Sequence, residues 1–249
     1  MVNPFSLNNK TVLVTGASSG IGKATAIECS RLGATVVITG RSPERLEQTY
    51  SLLEGERRHK MIVAELTSTD DLENLVNEVS YIDGLVNAAG IGSTLLFQFA
   101  KPEKIRQMFD VNFFAPVELT RLLLKKKKLG KGGSIVFISS VDGPITSHIG
   151  NSTYSATKGA LNAIAKGLAV EMAPKGIRVN YIMPGQTETP LIRNGNITEE
   201  QLALDMKNYP IGRYGKPEEI AYGAIFFLSD ASSFATGSGL VIDGGFTLL

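Results

Sequence analysis

A doubly wound α/β fold, one domain over residues 1–249 with a seven-stranded parallel sheet and helices on both faces, is predicted by three observations. Short β-branched runs alternate with helical segments without a break, a pattern that calls for parallel strands joined by right-handed crossovers. The first unit, TVLVTGASSGIG at residues 11–22, is an apolar strand feeding a glycine turn that opens a helix. The third observation is positional: Gly16, Arg41, Glu65, Asn87, Ser140 and Pro184 fall at or just after successive strand ends, the edge at which such sheets hold ligands.

The elements follow in order. Thr11, Val12 and Val14 suit a buried strand, and Ala24, Ile27 and Leu32 share one face of a helix ended by Gly33. TVVIT at residues 35–39 is a second strand, and Ser42 then caps a helix with Pro43 at its first position. Residues 61–64 give strand three, 68–79 a helix, and 85–89 a fourth strand running into Gly90. Pro102 opens a helical segment to about residue 128, SIVFIS forms strand five, 154–173 a long helix and IRVNYI strand six. Residues 186–209, the expected lid over a substrate, are weakly patterned; 217–228 reads as a helix and 240–243 as strand seven.

Composition narrows the function classes. The chain is 43% apolar and 20% charged with a net charge of +1, so no basic field drives nucleic-acid or membrane binding. Cys29 is the only cysteine, which excludes an intrachain disulfide and a thiolate metal cluster and suggests a packing role. His59 and His148 are too isolated for a metal site, although His148 lies between Ser140 and Tyr154 and borders the expected substrate. No apolar run approaches the ~18 residues of a membrane span, and the start lacks a signal-peptide pattern. A cytoplasmic enzyme is the expectation.

The glycine turn reads as a phosphate cradle. Gly16, Gly20 and Gly22 let backbone N–H groups at the helix start approach a pyrophosphate, where the helix dipole favours negative charge; the alternative is an ordinary βα turn. Ser140 after strand five, with Tyr154 and Lys158 one helical turn apart, forms the strongest chemical constellation. An ammonium beside a phenol favours the phenolate, bringing the tyrosine toward neutral working pH as a proton donor to a carbonyl oxygen receiving hydride. Ser140 would hydrogen-bond the same oxygen. Pro116 deprives the Asn112 carbonyl of its intrahelical donor, which either makes a simple kink or frees an acceptor for a water leading to Lys158. Arg41 and Ser42, at the end of strand two where a dinucleotide's adenosine ribose sits, suit a 2′-phosphate, with Arg45 in range; NADP(H) is favoured over NAD(H). Lys125 to Lys128 and Lys131 read as a solvated helix end or a dock for an acidic partner.

Together these residues resemble the short-chain dehydrogenase/reductase family, from TGASSGIG to VIDGGF, and the resemblance implies a Rossmann fold. The family's glycine motif falls on Gly16, Gly20 and Gly22, its NNAG motif on residues 87–90, its catalytic Asn, Ser, Tyr and Lys on Asn112, Ser140, Tyr154 and Lys158, and its PG motif on Pro184 and Gly185. By that resemblance Tyr154 is the general acid/base, Ser140 polarises the carbonyl, Lys158 binds the nicotinamide ribose and lowers the tyrosine pKa, and Asn112 holds a relay water. Cofactor contacts are implied for Ser18, Ser19, Ile21, Glu65, Leu66, Asn87, Ala88, Ala89, Gly90, Thr187 and Thr189 as well. Ala88, Glu65 and Thr187 depart from the residues common at their positions, Ser19 replaces a basic residue frequent in NADP-using members, and the 140–154 loop is one residue longer than usual. No metal is implied. Length and the C-terminal run are similar to 3-oxoacyl-acyl-carrier-protein reductases, which implies a homotetramer, with Ala156, Gly159, Ala160 and Ala163 permitting close helix contact, and basic residues Lys131 and Lys175 where such enzymes receive the carrier protein. The competing readings are an NADP-dependent dehydrogenase of a sugar, polyol or other secondary alcohol, and a non-catalytic nucleotide-binding protein. The lid composition, with Leu191, Ile192 and Leu202 beside Arg193, Asn194 and Asn196, does not choose.

Overall fold

A computed structural model of the chain describes residues 3–55, 58–92, 94–190 and 198–249. The strands are β1 (Thr11–Thr15), β2 (Thr35–Gly40), β3 (Lys60–Val63), β4 (Ile82–Asn87), β5 (Leu129–Ile138), β6 (Arg178–Pro184) and β7 (Gly239–Ile242). They form one sheet in the order β3-β2-β1-β4-β5-β6-β7, and every neighbouring pair is parallel. The helices are α1 (Gly20–Arg31), α2 (Pro43–Tyr50), α3 (Thr69–Glu78), α4 (Pro102–Phe109), α5 (Ala115–Lys125), α6 (Ser152–Met172), α7 (Glu199–Met206) and α8 (Pro217–Leu228). The strand order reverses between β1 and β4, so the C-terminal ends of these two strands flank the crevice where doubly wound sheets take ligands.

The inner strands bury both faces, with successive side chains alternating between two layers, while the edge strands β3 and β7 are partly exposed. Leu13, Val37, Leu85, Phe137 and Val179 join Leu75, Leu119 and Leu161 of α3, α5 and α6 in one layer. Val12, Val14, Val36, Ile38, Val86 and Ile182 join Cys29 of α1 and Ile220, Ala224 and Ile225 of α8 in the other. Cys29 is therefore a packing residue, and burial pushes its thiol well above the ordinary range. Among the described residues no helix is long and apolar enough to cross a membrane.

The structure shifts several expected boundaries. β4 begins at Ile82 rather than Leu85, and β5 at Leu129 rather than Ser134, because Ile82 pairs with Leu129 before an irregularity brings Gly84 opposite Ser134. The expected continuous helix from Pro102 is two helices joined by a π-turn over residues 110–114, where the Ala115 N–H reaches back to the Asp110 carbonyl. Pro116 then sits in the first turn of α5, where a missing N–H costs least. The weakly patterned lid contains α7, which opens with a capping box formed by Thr198 and Gln201; the expected lid residues Leu191, Ile192, Arg193, Asn194 and Asn196 lie outside the described residues. The Lys125–Lys128 run ends α5, with Lys126 donating to Asn77 at 2.8 Å and Lys128 to the Val79 carbonyl at 2.6 Å.

Candidate active site

The glycine turn leaves β1 at a point where no side chain fits. A Cβ on Gly16, whose φ is +64°, would lie 2.8 Å from the backbone N and Cα of Ala89, and one on Gly22 would lie 2.4 Å from the Gly16 carbonyl oxygen. Gly20, φ +52°, faces the Thr189 side chain, which a Cβ would meet at 3.1 Å. Ser19 is the N-cap of α1, its side chain caps none of the N–H groups of that helix, and no acidic residue occupies the first turn. These features fit a dinucleotide pyrophosphate: the backbone can approach an anion closely, the helix start offers donors, and Thr189 stands over the turn. Ser18 flanks the end of β2, with its Oγ 3.4 Å from where a Gly40 Cβ would be, and Ile21 is half-buried. The 87–90 segment is laid against the turn by Thr15, whose Oγ1 accepts from the N–H groups of Ala88 and Ala89 at 3.1 Å each. Asn87 donates to Thr120 at 3.3 Å, while its buried Oδ1 has no protein partner.

At the far end of the crevice Arg41, Glu65, Thr67, Arg106, Asp110 and Val111 are among the residues lining a cleft of about 320 Å³. The Arg41 side chain is 62% exposed and reaches Glu65 at 3.5 Å, too long for a tight pair, so its charge stays available to a ligand. Glu65 is held by the Thr67 N–H and hydroxyl at 3.2 and 3.0 Å, and Leu66 is buried. Ser42 has a helical role as the N-cap of α2, accepting from Arg45 N–H at 3.4 Å and donating to Glu44 at 3.0 Å.

Ser140, Tyr154, Lys158 and Asn112 are brought to one place from three elements. Pairing with β6 continues past the end of β5, through Ser139 N–H to Ile182 and Val141 N–H to Pro184, and this fixes Ser140 at the sheet edge. Ser140 lies near enough to Tyr154 to favour its phenolate. The Lys158 ammonium lies 5.6 Å from the centre of the Tyr154 ring and donates to the Ile138 carbonyl at 2.8 Å. Gly90 separates Asn112 from Lys158: a Cβ there would lie 3.4 Å from Asn112 Oδ1 and 3.7 Å from Lys158 Nζ.

Two expectations are corrected here. The Tyr154 phenol is not lowered toward neutrality: burial pushes it up to about 12, with nearby Asp142 adding to the rise and Ser140 opposing it. Burial likewise brings the Lys158 ammonium down to about 8, so desolvation outweighs the mutual influence of the pair. Asn112 marks a π-turn rather than a simple kink, and its side chain is engaged. Oδ1 accepts from Ile91 N–H at 2.8 Å, and Nδ2 donates to the Ile91 carbonyl at 2.9 Å and to Thr157 at 3.3 Å.

Beyond Pro184 the chain crosses β7: Gly185 N–H donates to Ile242 at 2.9 Å, and a Gly185 Cβ would lie 2.9 Å from Asp243. Thr187 is buried and donates to the Gly185 carbonyl at 3.0 Å, so the PG segment is held rigidly while Thr189 projects over the glycine turn. Sequence reasoning missed Thr15 and Thr157, whose bonds to residues 88–89 and to Asn112 join segments remote in the chain, and Asp142 and Asn151, which pair within the loop leading into α6. The T-x-x-Q capping signal for α7 was readable.

Comparison with known proteins agrees with this geometry. A family model described as enoyl-(acyl carrier protein) reductase matches residues 16–247. The 3-oxoacyl-(acyl-carrier-protein) reductase FabG of Thermotoga maritima is 36% identical over 97% of this chain and 99% of its own, and that of Rickettsia prowazekii is 34% identical over 98% and 100%. A dehydrogenase/reductase structure from Sinorhizobium meliloti 1021 superposes with a TM-score of 0.90 at 33% identity, covering 98% of this chain and 97% of that one. A gluconate 5-dehydrogenase from Burkholderia cenocepacia in complex with NADP and tartrate reaches the same TM-score at 28% identity, covering 99% and 98%. The chain is an oxidoreductase belonging to the short-chain dehydrogenase/reductase family.

Proposed function

We propose that the protein is an NADPH-dependent reductase of the ketone in a 3-oxoacyl thioester, presented on an acyl-carrier protein. The observation that carries this reading is the meeting of Ser140, Tyr154, Lys158 and Asn112 beside the glycine turn, in a chain at least a third identical to 3-oxoacyl reductases over nearly its full length. Bound NADPH supplies the hydride. Ser140 Oγ accepts from the Asp142 N–H at 3.1 Å, which leaves its hydroxyl proton to donate to the substrate ketone oxygen. Tyr154 donates its proton to that oxygen as negative charge develops there. Lys158 holds the nicotinamide ribose and, as an ammonium, stabilises the resulting phenolate. The Asn112 carbonyl, which receives no N–H from Pro116, holds the water that returns a proton through Lys158. A phenol near 12 is a weak acid at rest, so the reading requires the bound cofactor and substrate to improve the phenolate's environment.

The preference for NADPH rests on Arg41, whose guanidinium is exposed at the end of β2 with only a long contact to Glu65. The carrier-protein reading is supported by a basic pair. Lys131 and Lys175 are exposed and are drawn together where Gly132 N–H bonds the Gly176 carbonyl at 2.9 Å; neither has an ion-pair partner among the described residues. The homotetramer reading draws on exposed Val170, Phe234, Leu248 and Leu249 around α6 and the C-terminus.

Oxidation of NADPH and NADH with acetoacetyl thioester, simple ketones and ketoses or sugar lactones tests cofactor and substrate together. Turnover of the thioester with NADPH is expected; turnover confined to sugars would establish the second reading, a sugar or polyol dehydrogenase, which the likeness to gluconate 5-dehydrogenase favours. NADPH binding without turnover of any carbonyl would point to a non-catalytic role.

A further inference from the structure

Between Ser140 and Tyr154 the chain carries a buried carboxylate that the proposed mechanism does not use. Asp142 is 4% exposed, and both of its oxygens are engaged. Oδ1 meets His148 Nδ1 at 2.7 Å, and Oδ2 accepts from Asn151 Nδ2 at 2.8 Å. Its backbone N–H holds the Ser140 hydroxyl oxygen. Asn151 occupies the position just before α6, yet its side chain caps no N–H of that helix. Instead it ties the start of α6, three residues ahead of Tyr154, to the residue that orients Ser140. The turn between them is pressed onto α6: Gly143 has φ +108°, and a Cβ there would fall 2.2 Å from the Ser155 carbonyl.

We propose that His148 is a positioning residue of the reductase site, acting through Asp142 to hold Ser140 and the Tyr154 end of α6 in register and to balance the Asp142 charge. The inference rests on the reductase reading above. Its chemistry follows from the contacts. When Tyr154 gives up its proton it becomes an anion that feels the charge of Asp142, and an imidazolium hydrogen-bonded to that carboxylate makes the second negative charge tolerable. The neutral imidazole keeps the hydrogen bond but not the compensation. His148 is stacked on Phe246, with centroids 5.3 Å apart, and Phe246 on Tyr209 at 4.9 Å. Tyr209 Oη accepts from the Gln186 N–H at 3.2 Å, so the imidazole is also braced against the PG segment.

The charged and titratable groups around His148 come from three elements. Asp142 faces it from its own loop and Asp205 from α7, and both favour the imidazolium while burial opposes it, leaving its pKa above the ordinary histidine value. Across Phe246, Tyr209 is influenced by Asp205, Asp142 and Asp243. Asp142 is in turn the charge felt by Tyr154.

The test compares wild type, His148→Gln, Asp142→Asn and the double variant, reading kcat for ketone reduction against pH together with NADPH affinity and the imidazole titration by NMR. In wild type kcat should fall as the imidazole loses its proton. His148→Gln should lower the plateau by on the order of 10-fold, remove that pH limb and leave NADPH affinity unchanged. The double variant, a neutral amide pair, should regain plateau activity without the limb. A His148→Gln enzyme with the wild-type rate and pH profile overturns the proposal. Should Asp142→Asn fail to fold, the wild-type titration still decides: a kcat limb displaced from the imidazole pKa measured by NMR also overturns it. Loss of all ketone reduction in the wild type would instead refute the reductase reading, while Tyr154-dependent turnover indifferent to His148 would refute this inference alone.

Discussion

The two halves of the crevice are built by different physics. On the glycine-turn side, backbone meets backbone, Gly16 against Ala89 and Gly22 against the Gly16 carbonyl, with the neutral Thr15 hydroxyl tying down two successive N–H groups. On the catalytic side, polar side chains make the joints, Asn112 to Ile91 and Tyr209 to Gln186 between separate segments, and Asp142 to His148 and Asn151 within one loop. The first half tolerates no added atoms and needs no charge. The second tolerates atoms but depends on which groups are ionised, and its two central groups are displaced in opposite senses by burial, Tyr154 to about 12 and Lys158 to about 8. A steric site and an electrostatic one should fail in different ways when altered.

The largest effect is expected from Tyr154→Phe, which keeps the ring and removes the proton donor. Turnover should fall by about 10²–10⁴-fold while NADPH binding persists, as fluorescence titration would show; unchanged turnover would remove Tyr154 from the chemistry. On the steric side, Gly22→Ala should cost roughly 1–3 kcal/mol of stability and weaken NADPH, because its Cβ would sit 2.4 Å from a backbone oxygen that cannot swing away. Urea unfolding of the two proteins checks this, and equal midpoints would mean that the turn relaxes at little cost. Arg41→Asp should shift the ratio of kcat/KM for NADPH over NADH by about 10-fold or more toward NADH. No movement of that ratio would leave Arg41 a surface charge.

The smallest effect is a pH dependence. Lys158 is lowered from 10.5 to about 8 on folding, so between these values the unfolded chain binds the extra proton and stability rises with pH. Urea unfolding at pH 8 and pH 9.5 should show a gain of about 1 kcal/mol, absent in Lys158→Met. Above pH 10 the sign reverses. Tyr154 and Tyr209, both raised to about 12, stay protonated in the fold while the unfolded chain loses their protons.

How much of this was legible in the sequence follows the same division. The glycines, the β-branched runs and the Ser42-Pro43 cap are local signals, because strain and capping involve residues near one another in the chain. Ser140, Tyr154 and Lys158 were legible as a set by spacing and resemblance, and they do converge. The π-turn at residues 110–114 was not, since Pro116 announces an irregularity without saying which carbonyl the neighbouring N–H will choose. Neither was the early start of β5, which depends on its register with β4, nor the direction of the Tyr154 shift, where spacing from Lys158 suggested a lowering and burial produced a rise.

The sequence by itself determined the alternation of strands and helices, the position of the glycine turn and the set of polar side chains that meet beside it, because these depend on backbone freedom and residue chemistry over a few positions. The tertiary structure decided the charge state of the site, the partners of Asn112 and Tyr209, and the stacking of His148 on Phe246. Desolvation and hydrogen bonding across long loops are properties of what surrounds a residue, and that is set only once the sheet has brought the distant segments together.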